Sequence, residues 1–126
     1  MQTETMQQSG TRPLIESDRV EGTYIYDSNG SSVGSIKRLM IEKMSGKVAY
    51  VVVSFGGFLG MGTDELTIPW GKLSYDTSLG GYRTDITEQQ LASAPAFSRN
   101  EGLDWGNRTR EQELHDYWRV PPYWTM

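Results

Sequence analysis

The run Val48-Ala49-Tyr50-Val51-Val52-Val53 is apolar at every position, and no other feature narrows the fold as far. A strand with one face in water alternates apolar and polar side chains, because successive residues point to opposite faces. A strand that is apolar on both faces needs cover on both. That cover comes from the rest of this chain or from a second copy, and the sequence supports either. Six residues fall well short of the ~20 that cross a bilayer as a helix. The run therefore belongs inside a soluble sheet, and no membrane insertion is expected.

The surrounding sequence is built the same way. From Val20 to Thr84 it is rich in β-branched and aromatic residues, cut at short intervals by turn signals, with no helical period. Tyr24-Ile25-Tyr26 reads as a strand, and Asp27-Ser28-Asn29-Gly30 as the turn after it, since Asn-Gly tolerates positive φ. The next strand runs from Val33 to Met44. Its step of three between Ile36 and Leu39 calls for a bulge near Lys37-Arg38 to keep the apolar side chains facing inward. Ser45-Gly46 turns the chain into the apolar run. Leu66-Thr67-Ile68 is a short strand ended by Pro69, and Leu73–Asp76 with Gly81–Thr84 form a last hairpin. The expectation is an all-β fold of six strands, bent into a small closed barrel.

Helical signals come only afterwards. Thr87-Glu88-Gln89-Gln90 fits a capping box, with a short helix before Pro95. Beyond Phe97 the chain turns polar but carries Trp105, Trp118 and Trp124, and a disordered tail would be poor in aromatics. Thr109-Arg110-Glu111-Gln112 reads as a second capping box. Leu114, Tyr117 and Trp118 then share a helix face before Pro121-Pro122 stops the helix. The tail, with Tyr123 and Trp124, is expected to pack on the barrel or on a partner subunit. Residues 1–13 read as a disordered leader, 14–97 as the barrel domain and 98–126 as the tail.

Composition removes several function classes. A formal charge of -4 and a pI near 4.9 argue against nucleic acid, whose backbone is held by clustered Lys and Arg. The chain has no cysteine, so thiolate catalysis and thiolate metal sites are excluded. His115 is the one histidine, expected on a solvated helix face beside Glu111 and Asp116, and no metal site or cofactor is expected. Asp64, Glu65, Asp76 and Asp85 lie near turns, yet no nucleophile stands beside a base, and no catalytic residue is assigned. The glycines of Phe55-Gly-Gly-Phe-Leu-Gly-Met-Gly62 precede neither Gly-Lys-Ser/Thr nor a helix, so the segment is no phosphate loop. Phe58 and Leu59 are expected to lie over an open barrel end as a lid, with an outward-facing contact surface as the alternative.

Taken in order, the strand, the Asp-x-Asn-Gly turn, the bulged strand, the Ser-Gly-Lys turn, the Val-rich strand, Gly-Gly-Phe-Leu-Gly, Ile-Pro-Trp and Leu-Ala-x-Ala-Pro-x-Phe resemble the PRC-barrel family. The likeness covers Leu14 to Phe97 and is most specific at Gly56–Gly60, Ile68–Trp70 and Leu91–Phe97. It implies a small six-stranded β-barrel used mainly as an assembly module, and no enzyme. The family is named for the cytoplasmic domain of the photosynthetic reaction-centre H subunit, and also forms the C-terminal domain of a ribosome maturation factor. The polar leader here differs from the membrane helix of the former, and no RNA-interacting domain like that of the latter is expected ahead of the barrel. A short stand-alone member is expected.

The expected function is thus a cytoplasmic, non-enzymatic protein-interaction module, self-associating as a homodimer and docking a further protein partner. Its candidate interface comprises Tyr50, Val52, Phe58, Leu59 and Met61 with Trp105, Leu114, Tyr117, Trp118, Tyr123 and Trp124 of the tail. The alternative by resemblance is an accessory of photosynthetic or respiratory electron transfer. Ribosome or RNA association comes third, against the charge.

Overall fold

The computed structural model describes residues 13–55, 65–94 and 105–125. The expected leader, the glycine loop with Phe58, Leu59 and Met61, and the Pro95–Phe97 motif lie outside the described residues, Pro13 excepted. A single helical turn, α1 (Ser17–Val20), buries Val20 and leads into six strands. They are β1 (Tyr24–Tyr26), β2 (Ser32–Ile41), β3 (Val48–Ser54), β4 (Glu65–Pro69), β5 (Ser74–Asp76) and β6 (Gly81–Arg83). Among the described residues two α-helices follow, α2 (Glu88–Ala92) and α3 (Arg108–Trp118).

The strands form one mixed sheet in the order β4-β3-β2-β1-β6-β5, antiparallel throughout except for the parallel pair β1 and β6. The turn between β1 and β2 is set by Asp27, whose Oδ1 accepts from the Asn29 and Ser31 amides, with Gly30 at φ 83°. β2 slips register between Ile36 and Arg38, where the bulge was expected, and again between Met40 and Ile41. These slips bend the strand while Ile36 stays in the core.

The expected closed cylinder needs correcting. Among the described residues the edge strands β4 and β5 are not paired with each other, so the sheet is open along that seam. The local chemistry explains it. Pro69 has no N–H to offer a ladder, and the chain passes from β4 to β5 through the tight 3-10 turn Trp70–Lys72. The Thr84 hydroxyl donates to the Lys72 carbonyl at 3.0 Å, tying this turn to the end of β6.

β3 is buried from Ala49 through Ser54, as a doubly apolar run requires. Val51 and Val53 join Ile25, Ile36, Leu66 and Ile68 in the core. Tyr50 faces the other way, and α3 supplies its cover from the same chain. The described part of the tail, residues 105–125, packs against the sheet of its own chain. The cap of α3 also departs from expectation: Asn107, not Thr109, is the N-cap, its side chain accepting from Arg110 N at 3.2 Å. Asparagine is among the best N-caps, and starting the helix two residues earlier frees Glu111 to turn inward. The helix ends on Arg119 in the left-handed region, ahead of the two prolines. The capping box at Thr87 and Gln90 is present as read.

Candidate functional site

Helical spacing decides what α3 brings to the sheet. Glu111, Leu114, His115 and Trp118 recur at steps of three, one and three, which places all four on one face, and all four are buried. Leu114 and Trp118 pack into the core. Glu111 and His115 meet Tyr50 of β3 instead. The Tyr50 hydroxyl lies 2.5 Å from Glu111 Oε1 and 3.0 Å from His115 Nε2. The other carboxylate oxygen accepts from Gly106 N at 2.8 Å, and His115 Nδ1 lies 3.0 Å from the Val120 carbonyl. Tyr50, Glu111 and His115 are each 2% exposed.

Aromatic rings seal this cluster. Trp105 lies against the Tyr50 ring with centroids 5.1 Å apart, Tyr123 meets it edge-on at 5.7 Å, and Trp124 meets His115 edge-on at 5.6 Å. The Arg108 guanidinium sits over Trp124, 4.1 Å from the ring centroid. Burial, and then the hydrogen bond to Glu111, push the Tyr50 phenol far above its usual range. Burial lowers the His115 imidazole. Tyr123 is raised by burial and then by the Glu111 charge. A phenol so hard to ionise is no base near neutral pH, and a cluster so covered has no room for a substrate.

His115 is therefore not on a solvated face. The reading from composition weighed one histidine without a metal set, whereas the spacing to Glu111, Leu114 and Trp118 carried the signal. Glu111 was missed as a site residue because it also fitted a cap. Of the candidate interface, Tyr50, Val52, Leu114 and Trp118 are buried within their own chain. Tyr117 is half-buried, its hydroxyl donating to the Gln90 carbonyl at 2.8 Å and so tying α3 to α2. Tyr123 and Trp124 are half-buried, and Trp105 is 40% exposed, with one side of its ring against Tyr50.

The turn carboxylates have structural partners. Asp76 takes hydrogen bonds from Ser78 and an ion pair from Arg83 at 3.0 Å, which hold it down to about 2. The Lys72 ammonium at 2.8 Å lowers Asp85. Glu65 pairs with Arg38 at 3.6 Å. Asp64 lies outside the described residues. Among the described residues no group of His, Asp and Glu has the geometry to hold a metal ion.

A second feature is open to solvent. A groove of about 1060 Å³ is lined by Pro13, Leu14, Ile15, Trp70, Tyr75 and Tyr82, with the charged Glu16 and Arg19 beside them. The three rings contact edge to face, Trp70 with Tyr82 at 5.4 Å and Tyr75 with Tyr82 at 5.1 Å. Leu14 is 85% exposed and Tyr75 43%. None of these residues was singled out as an interface from sequence. Leu14 falls at the edge of the expected leader, Tyr75 and Tyr82 lie in the expected last hairpin, and Trp70 enters only as part of the Ile-Pro-Trp motif.

No described helix is long and apolar enough to cross a membrane. A search of curated proteins returned no match. Among solved structures, one described as a RimM 16S ribosomal RNA processing protein from Pseudomonas aeruginosa aligns with a TM-score of 0.39 and 21% identity. The alignment covers 61% of this chain and 46% of that one, so the chain spans less than half of that protein's length. A superposition that loose says nothing of function. A family model described as the PRC-barrel domain matches residues 13–91. That span takes in all six strands and well over half of the sequence, and the chain belongs to the PRC-barrel family.

Proposed function

We propose that this PRC-barrel chain is a non-enzymatic protein-interaction module that self-associates as a homodimer, and that its contact surface is the groove between residues 13–15 and the Trp70–Tyr75–Tyr82 rings. One observation carries the reading: side chains as large as Leu14 and Tyr75 stand together in solvent around a concave surface. Exposed apolar side chains gathered in a concavity with polar residues at its rim mark contact sites. Aromatic rings with polar tips are the side chains enriched there. The sealed Tyr50 cluster and the partnered carboxylates favour binding over catalysis. The charge of -4 favours protein over nucleic acid as the ligand.

Light scattering on the full chain tests this. The wild type is expected as a dimer, and Leu14→Ser combined with Tyr75→Ser as a folded monomer whose melting temperature is lowered by the lost Tyr75–Tyr82 contact and the lost association. A monomeric wild type at high concentration removes self-association. A dimer indifferent to the double substitution moves the contact away from the groove.

A further inference from the structure

The groove beside Trp70 is selective in what chemistry can fill it. The Trp70 indole N–H and the Tyr75 and Tyr82 hydroxyls have no hydrogen-bond partner among the described residues, although the rings touch one another. Glu16 and Arg19 stand beside the rings, 3.6 Å apart and largely in solvent. A fitting ligand is apolar, offers acceptors to an indole that can only donate, and brings charges opposite to Glu16 and Arg19. Proline-rich segments dock on aromatic-lined grooves for the first two of these reasons.

This chain carries such a segment. Val120-Pro121-Pro122 follows α3, and a residue before proline is held toward extended backbone. Neither proline has an N–H, and Val120 N already donates to the His115 carbonyl at 3.2 Å. The Val120 carbonyl is engaged by His115 Nδ1 and the Pro122 carbonyl by Thr125 N, which leaves the Pro121 carbonyl as the segment's open acceptor. Pro121 is exposed, and the groove of its own chain is lined by neither proline. Asp116 and Arg119, both exposed, precede the segment with the same three-residue spacing as Glu16 and Arg19. Gln112 Nε2 occupies Asp116 Oδ1 and leaves the other carboxylate oxygen open. Laid antiparallel, the two charged pairs are complementary: Glu16 meets Arg119, and Arg19 meets Asp116.

We propose that the groove is filled by residues 120–122 of a second copy, held at the rim by Glu16–Arg119 and Arg19–Asp116 pairs between the copies. The assignment rests on the self-association proposed above and names the segment that it uses. Both halves of the contact lie on one face of the chain, as an isologous dimer requires. Gly71 follows Trp70, and a Cβ on Gly71 would come within 2.8 Å of Val120 Cγ1, so the prolines leave the fold beside the groove's own tryptophan. A two-fold axis near Gly71 then sets each groove against the other copy's prolines. α3 stays on its own sheet, and only the exposed side of the chain after it meets the neighbour.

Charge reversal in the full chain tests the pairing at constant net charge. Glu16→Arg with Arg19→Glu keeps the pair beside the groove but inverts it, and Asp116→Arg with Arg119→Glu does the same ahead of the prolines. Each contact occurs twice in a two-fold dimer, so either reversal turns every attraction between the copies at the rim into a repulsion. Exposed pairs are worth a few-fold each, so either reversal alone is expected to raise the dimer dissociation constant by about tenfold or more, measured by sedimentation equilibrium. Both reversals together are expected to restore it to within about threefold of the wild type. A dimer indifferent to one reversal, or not recovered by the combination, overturns the segment as occupant. Where Leu14→Ser with Tyr75→Ser abolishes that same dimer, the groove stands as the contact and only the segment is removed; a monomeric wild type removes both. If a reversed variant does not fold, ionic strength decides on the wild type. Paired charges between copies predict a dimer that weakens as salt rises from ~0.02 to ~0.5 M. Two chains of charge -4 meeting through apolar contact alone predict one unchanged or tightened by screening, which overturns the pairing.

Discussion

At the scale of single residues, close backbone approach is the most rigid constraint in the sheet. Gly34 of β2 stands where an added Cβ would run into the Ser54 carbonyl oxygen, with Phe55 Cδ1 at 3.0 Å behind it. Ser54 is paired to β2 on one side and β4 on the other, so that oxygen cannot move aside. Gly34→Ala is therefore expected to destabilise by about 1–3 kcal/mol, the usual cost of overpacking. Urea unfolding reads it, and an unchanged midpoint refutes it. Gly71→Ala is the internal contrast. Its added Cβ meets the Val120 side chain at 2.8 Å, and a side-chain tip can rotate away. The Gly34 requirement was not legible in the sequence, because it depends on which strand lies alongside. The turn at Asp27–Gly30 was legible, because Asp27 and Gly30 settle it locally.

The elements show where reading by pattern succeeds. All six strands sit close to the apolar runs that announced them, and the bulge lies where the apolar spacing broke. Closure failed because seam pairing depends on Pro69 and the 3-10 turn after it, not on the run of any strand. The Glu111–His115 face was readable, since a helix pattern places residues 111, 114, 115 and 118 together whatever their polarity. Its partner Tyr50 was not, because only folding brings β3 and α3 into register. The cis packing of α3 yields a prediction at this scale. Trp118 is 1% exposed, so Trp118→Ala should cost about 3–5 kcal/mol and lower Tm by about 10 °C or more. With cover from the same chain, that loss is independent of protein concentration. A loss that shrinks on dilution would mean that α3 covers a neighbouring copy instead.

For the whole molecule, the acid side of the stability curve depends on the carboxylates at the two ends of the seam turn and hairpin. Asp76 is held down to about 2 by Ser78 and Arg83, and Asp85 is lowered by Lys72. Both folded values lie below the unfolded ones. Their contribution is then complete above the ordinary carboxylate range near ~4 and is lost as pH falls through the folded values, about 2 for Asp76. Arg83 also reaches the carbonyls of Asp27 and Ser28 at 3.2 Å, so protonating Asp76 loosens a guanidinium that joins both hairpin turns. Asp76→Asn removes the titrating charge but keeps an oxygen that can accept from Ser78. The variant should be less stable than the wild type at pH 7, with the gap closing steadily between pH 4 and 2 as the wild type loses the same charge. Acid unfolding followed by tryptophan fluorescence measures both curves. A gap that stays constant down to pH 2 would show that the Asp76–Arg83 pair does not set the acid limb.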